Sequence, residues 1–356
     1  MKWLLVLVPL AIVLEHLAPG NDLLIFAVAA LGIVPLASIM AQATGVLATR
    51  LGAGLGGLLN ATFGNAAELI IALAALRSGL HEMVKASLAG TIIGNVLFVL
   101  GVAMVLGGSK HGDQRYDARA ARTQATMLTL AVIALILPAA YLSIVPKAEG
   151  QMNSISALIA CIMLAVYLAN VAFALVRSGA DVSAQAADAG HGHVHAGPAW
   201  TPRKALLVLF AVTAGIVWLS EILVGTVEAA SEAMGFSDAF TGVFVLAVIG
   251  GAAEQATAIV AARQNRMDLS MSITLGASVQ LALLVAPLLV LLSYWIGPHP
   301  MGLVFGPGLV LTILFAVMIA GQVASDGRAD WLRGVQLLAV YLILAAVFFF
   351  VPDAVA

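Results

Sequence analysis

The chain is poor in charge. Asp, Glu, Lys and Arg make up only 10% of its 356 residues, against roughly 25% in an ordinary soluble domain. That excludes a water-soluble globule of this length. The acids and bases nearly cancel, at 18 and 16 for a net charge of −2. That sum says little, because membrane proteins use charge by position; no nucleic-acid partner is expected. There is one cysteine, Cys161, so an intrachain disulfide is excluded. His16, His81, His111 and His299 all lie near the ends of apolar runs, and no run carries His-Glu-x-x-His. That excludes a helical intramembrane metalloprotease, and the chain is not expected to be an enzyme or to hold a cofactor. Short alternating segments of about 10 residues, the mark of a membrane barrel, are absent too.

What remains is apolar: 62% of residues are hydrophobic, and the mean hydropathy is +1.07. The hydrophobicity comes in eleven runs, near 3–18, 22–48, 53–77, 82–107, 122–145, 151–177, 204–231, 238–263, 267–295, 301–323 and 332–351. A helix of about 20 residues crosses a hydrocarbon core of about 30 Å. The expected fold is therefore all-α, a polytopic membrane protein of about eleven transmembrane helices with the lipid bilayer as solvent. The first run begins with Lys2 but places Glu15 and His16 where a signal-peptide cleavage site would lie, so it is read as a retained helix.

The stretch 178–203 has no apolar periodicity and is rich in Gly, Ala, Asp and His. It divides the chain into an N-terminal helix (1–20), five helices (21–177), a linker (178–203) and five more (204–356). With the amino terminus inside, Lys2, Arg50, Lys110, Arg115, Arg119, Arg122, Arg177, Arg203, Lys204, Arg263, Arg266, Arg328 and Arg333 fall inside. Only Arg77, Lys85 and Lys147 fall outside, so 13 of the 16 basic residues lie on one side. This is the positive-inside bias. It predicts a cytoplasmic amino terminus and linker and a periplasmic carboxyl terminus; the short chain, with no organellar extension, leads to the expectation of a bacterial inner membrane, a vacuolar membrane being the alternative.

Two segments repeat at an offset of 186. Gly64, Ala66, Ala67, Glu68, Ala72, Arg77 and Gly90 match Gly250, Ala252, Ala253, Glu254, Ala258, Arg263 and Gly276. Each copy holds five helices, an odd number, so the copies enter the membrane from opposite sides. Inverted repeats of this kind build secondary transporters with a mid-membrane site on interrupted helices. Gly64 and Gly250 precede the glutamates, and glycine weakens a helix there. The expectation is a break at both places, with backbone carbonyls around Gly64, Gly250 and Gly251 freed to face a cation.

A carboxylate deep in the bilayer costs at least several kcal/mol. No Lys or Arg lies within a span core to neutralise Glu68 or Glu254. A cation or a proton is the remaining means. Two facing carboxylates suit one divalent ion, and oxygen ligands at flexible distances suit calcium better than magnesium. Deprived of the ion, desolvated and mutually repelling carboxylates take up protons on the same oxygens. Competition for one site with alternating access is antiport of Ca2+ and H+. Asn65, one turn before Glu68, and Ser278 and Gln280 in the ninth run are candidate further ligands. Thr91 and Asn95 read more simply as interhelical hydrogen bonders. A sodium- or potassium-for-proton exchanger on the same scaffold is the alternative. A channel would need repeated filter elements.

The two motifs, Gly64-Asn65-Ala66-Ala67-Glu68-Leu69 and Gly250-Gly251-Ala252-Ala253-Glu254-Gln255, resemble the repeat motifs of the calcium/proton exchangers, a family within the calcium/cation antiporter superfamily. The stretch Gly276 to Pro287 resembles the helix that follows the second motif. The resemblance implies calcium export driven by proton entry, with Glu68 and Glu254 as central ligands. It also implies supporting roles for Asn65, Ser278, Gln280 and the carbonyls around the glycines. The seventh run resembles the family's long mobile helix, which makes Glu221 and Glu228 candidates for proton access. The chain departs from the pattern at Gly251, where asparagine is usual, and at Gln255, where histidine is common. The linker lacks the family's acidic run and carries His191, His193 and His195 instead, a candidate regulatory transition-metal site.

Overall fold

In hydrocarbon a backbone must satisfy its own hydrogen bonds, and these apolar runs do so as helices. The computed structural model describes residues 2–190 and 200–350; His191, His193 and His195 lie outside the described residues. A short turn, Lys2–Val6, leads into α1 (Leu7–Leu17). Next come α2 (Asp22–Gly64), α3 (Ala66–Arg77), α4 (His81–Ile93) and α5 (Leu100–His111). Then follow α6 (Ala118–Ile144) and α7 (Met152–Gly190). The second half holds α8 (Pro202–Met234), the single turn α9 (Asp238–Phe240), α10 (Ala247–Arg263), α11 (Met267–Gln280), α12 (Ala286–Leu292), α13 (Pro307–Asp326) and α14 (Trp331–Phe349).

Among the described residues, nine helices are long and apolar enough to cross a membrane, and Trp3–Leu17 is a shorter apolar helix. The eleven expected runs are not matched helix for helix. The run at 53–77 is split between the end of α2 and the whole of α3. Inside α2, a Cβ built on Gly56 would collide with the Ala48 carbonyl oxygen. Eight residues of straight helix advance about 12 Å, so α2 doubles back between Ala48 and Gly56. The fold also extends α7 to Gly190, into the segment expected to be linker. The alanines there are good helix formers, and the lack of apolar periodicity did not prevent a helical backbone.

Three segments widen into π-helical turns: Gly94–Val99 after α4, Thr241–Leu246 before α10, and Leu281–Val285 after α11. The first and third fall at the repeat offset, since 94–99 plus 186 gives 280–285. π turns concentrate at functional positions. Helix starts are capped in the expected manner. Asp117 accepts from the Arg119 and Ala120 amides at 2.8 and 3.1 Å, and Asp330 accepts from that of Arg333 at 2.9 Å. A two-residue antiparallel pair ties the halves together, with β1 (Gln114–Arg115) on β2 (Arg328–Ala329).

The interior falls into two hydrophobic cores. The larger joins α4 to α7 with α11 to α14 around Leu97, Leu100, Met104, Leu128, Leu283 and Leu289. The smaller joins α1, α2 and α8 around Ile33, Met40, Ile216, Leu219 and Leu223. α3 packs on α8 and α4, and α10 packs on α2, α5 and α11. The two motif helices therefore lie between the cores. Gly90 lets α4 reach the backbone of Val243 directly; any Cβ there would collide with it.

Candidate cation site

The first motif breaks its helix as expected. Asn65 has φ −99° and ψ 24°, outside the helical range, and separates α2 from α3. Glu68 falls in the first turn of α3. The leading N–H groups of a helix lack intrahelical partners and carry partial positive charge, which favours an anionic side chain there.

The second motif does not break. α10 runs without interruption from Ala247 to Arg263, through Gly250 and Gly251. The expected interruption is displaced to the π turn Thr241–Leu246, before the motif. The reason for a glycine at 250 is packing. A Cβ built there would lie 2.8 Å from Cγ of Glu68 and 3.6 Å from its Cα. A helix can carry glycine at modest cost when its hydrogen bonds continue, and here the missing side chain makes room for the opposing glutamate.

The reverse contact exists too. A Cβ built on Gly64 would lie 3.2 Å from Oε1 of Glu254 and 3.7 Å from Oε1 of Gln280. Each glutamate thus lies against the glycine of the other motif. Glu68 is buried and Glu254 is partly buried. Among the described residues, the ion pairs are His16–Glu15, Arg77–Glu221, Lys85–Glu82, Arg333–Asp326 and Arg333–Asp330. Neither motif glutamate has a basic partner among them.

Asn65 and Gln280 join this pair. The Asn65 amide Nδ2 donates to Gln280 Oε1 at 2.9 Å, linking the repeats. Asn65 is only 1% exposed, yet its Oδ1 accepts no hydrogen bond from any described residue. A buried amide oxygen without a donor is unfavourable, and it is what a cation ligand requires. Among the described residues, no three His, Cys, Asp or Glu side chains converge. Any cation held by the two carboxylates would complete its shell from amide, hydroxyl and backbone oxygens.

The other expected residues divide. Ser278 is fully buried, but its hydroxyl donates to the Thr274 carbonyl of its own helix at 2.8 Å. Thr91 likewise donates to Ser87 at 3.0 Å. Gly251 is covered by the side chain of Gln255, whose Nε2 lies 2.7 Å from a Cβ built on Gly251. In the sequence Gln255 stands out only as a departure from pattern, and its spacing of four from Gly251 is the available signal. Glu221 and Glu228 are not brought to the glutamate pair. Glu221 forms an ion pair with Arg77 at 3.2 Å, and Glu228 is exposed on α8. A separate cavity of about 430 Å³ lies beside the start of α4, lined by His81, Glu82, Lys85, Asp238 and His299.

Residues 21–176 and 204–350 match the family model described as sodium/calcium exchanger protein. The chain is 42% identical to the Ca(2+)/H(+) antiporter of Synechocystis sp., covering 99% of this chain and 97% of that protein. It is 38% identical to the Ca(2+)/H(+) antiporter ChaA of Bacillus subtilis, covering 96% of each. Among solved structures, native YfkE superposes with a TM-score of 0.82 at 34% identity, covering 98% of this chain and all of that one.

Proposed function

The chain belongs to the sodium/calcium exchanger protein family, and from that premise we propose that it is a calcium/proton antiporter of the bacterial inner membrane. One observation carries the reading beyond family membership. Glu68 and Glu254 come from matching motifs in the two halves, each lying against the other motif's glycine, with no basic partner among the described residues. Two acids so placed need a neutralising cation or protons.

The proposed cycle follows from charge. With the site open to the cytoplasm, the carboxylates release protons and take one calcium ion. Asn65 Oδ1, Gln280 and backbone oxygens near Gly64 contribute further ligands, as hard-cation chemistry requires. With the site open to the periplasm, protons displace calcium from the same carboxylates. An empty, doubly charged site between two apolar cores is the least favourable state to carry across. The cargo therefore exchanges and does not leak. Ser278, whose hydroxyl donates within its own helix, is assigned an outer position, whereas the carbonyls of Gly250 and Gly251 stay within the unbroken ladder of α10 and are given no ligand role. The clustering of 13 of 16 basic residues on one side supports a cytoplasmic amino terminus and a periplasmic carboxyl terminus.

A second reading, sodium or potassium in place of calcium, is favoured by Gly251, which supplies no side-chain oxygen where its repeat partner Asn65 supplies one. Reconstitution separates the two. In proteoliposomes with an imposed pH gradient, calcium uptake is expected, lost in Glu68→Gln and in Glu254→Gln. Uptake of sodium or potassium alone would overturn the calcium reading. Full calcium uptake in both variants would overturn the site.

A further inference from the structure

The repeat offset predicts a partner for every contact at the site, and one partner is absent. Asn65 corresponds to Gly251, and Gln280 corresponds to Gly94, because 280 minus 186 is 94. The Asn65–Gln280 bridge on one side of the site therefore has two glycines as its counterpart on the other. At Gly94 a built Cβ would meet nothing within 4 Å, although the residue itself is buried. The π turn that Gly94 opens packs against α10. On this side the site has open space where the other side has an amide bridge.

A side chain from one helical turn further along covers the vacancy at Gly251. Gln255 lies back over it, with Nε2 at 2.7 Å and Cδ at 3.3 Å from a Cβ built on Gly251. The residue that corresponds to Gln255 in the first repeat is Leu69, an apolar side chain packed on the large core. Gln255 is 6% exposed, yet among the described residues its amide reaches only the Ala247 carbonyl, at 3.5 Å. That is the outer limit of a hydrogen bond. A buried carboxamide so weakly held is unfavourable as mere packing, and leucine would fill the place better.

We propose that Gln255 supplies the carboxamide that position 251 lacks, as a specificity-determining ligand of the second half of the cation site. The amide has moved one turn along α10, onto a longer and more flexible stem that folds back over Gly251. A flexible oxygen suits a hard divalent cation of variable coordination, the calcium class, over one that demands fixed octahedral geometry. This inference rests on the reading of Glu68 and Glu254 as the cation-binding pair.

The test is a set of variants in proteoliposomes, read as KM and maximal rate for calcium and for manganese. Calcium binding to the detergent-purified protein gives a readout independent of transport. Gln255→Met keeps the volume and removes the amide; it is expected to raise the calcium KM about tenfold, as loss of one contact to a charged group would, with little change in manganese KM. Gly251→Asn alone is expected to impair calcium binding, because its side chain collides with Gln255. Combining Gly251→Asn with Gln255→Ala is expected to bring calcium KM back to near the starting value. Unchanged calcium KM and affinity in Gln255→Met would overturn the proposal. So would a double variant no better than the worse of its single variants. Glu68→Gln is run alongside: if it transports normally, the glutamate pair is the reading that has failed, and if it is dead while Gln255→Met is unaffected, only the present inference falls.

Discussion

Glu254 lies over Gly64, with Oε1 only 3.2 Å from where a Cβ on that residue would stand. The contact crosses from one repeat to the other, and its mate, Glu68 on Gly250, is tighter. There the atom in the way is Cγ at 2.8 Å, with the Glu68 Cα behind it at 3.6 Å.

The difference orders two substitutions. In Gly64→Ala the obstacle is the far end of a side chain, which can swing aside. In Gly250→Ala the obstacle sits near the Glu68 backbone. Overpacking of this kind costs about 1–3 kcal/mol. Gly250→Ala is expected to lower calcium transport about tenfold or more, and Gly64→Ala several-fold less, in matched proteoliposomes. Equal effects would mean that the two contacts are equivalent.

The Asn65–Gln280 bridge should act on affinity. Asn65→Ala removes the amide donor and the free Oδ1 together, leaving Gln280 Oε1 without its partner. Unsatisfied polar groups cost about 1–3 kcal/mol, so the calcium KM is expected to rise about tenfold, with a smaller change in maximal rate. Gln280→Ala leaves Asn65 Oδ1 in place and is expected to be milder. Calcium titrations of both variants check the order.

Calcium and protons are proposed to share the same carboxylate oxygens. Acidification must therefore weaken apparent calcium affinity, and alkalinity must strengthen it until the carboxylates are fully ionised. Calcium-binding isotherms from pH 5 to pH 9 are expected to show this sign, with protons released on binding. Affinity that does not vary with pH, or no proton release, would remove the basis for exchange.

Arg77 ends α3, about 13 Å along the helix from Glu68, and pairs with Glu221 of α8 at 3.2 Å. At the repeat offset the counterpart of Arg77 is Arg263 and that of Glu221 is Pro35, so the opposite face has no equivalent pair. Arg77 is exposed and Glu221 partly so, and solvent-screened pairs of this kind are worth about 0–1 kcal/mol. Glu221→Gln is accordingly expected to change transport rate by less than about fivefold, with the proton-to-calcium ratio intact. The swap Arg77→Glu with Glu221→Arg should return the rate. A changed ratio in Glu221→Gln would instead support the proton-access role first considered for that residue.

The spans and the two glutamates were legible because a charge in an apolar run stands out by contrast. The reciprocity of the motifs followed from the offset and the odd helix count. The expected break at Gly250 does not form, because glycine permits a bend without requiring one. Asn65 leaves the helical range, whereas Gly251 stays within it. The π turns carry no sequence mark of their own; at the offset Gly94–Val99 and Leu281–Val285 share only Leu97 with Leu283 and Val99 with Val285, ordinary apolar residues. Gln255 was visible as an oddity, but its relation to Gly251 depends on a rotamer, which no pattern of residue types records.

The two separate cores have a consequence outside the protein. α2 and α8 hold their own core and also turn Leu23, Leu24, Leu31, Leu206, Leu207, Phe210 and Trp218 outward. A rocking of this body against the larger one, the general route of alternating access, would drag its greasy flank through the surrounding acyl chains. Each turnover would then include work done on lipid, a fraction of a kcal/mol for every ångström of mismatch. The expected outcome is an exchange rate that depends on the membrane as well as on the chain, measurable in proteoliposomes whose lipids differ in acyl length and saturation.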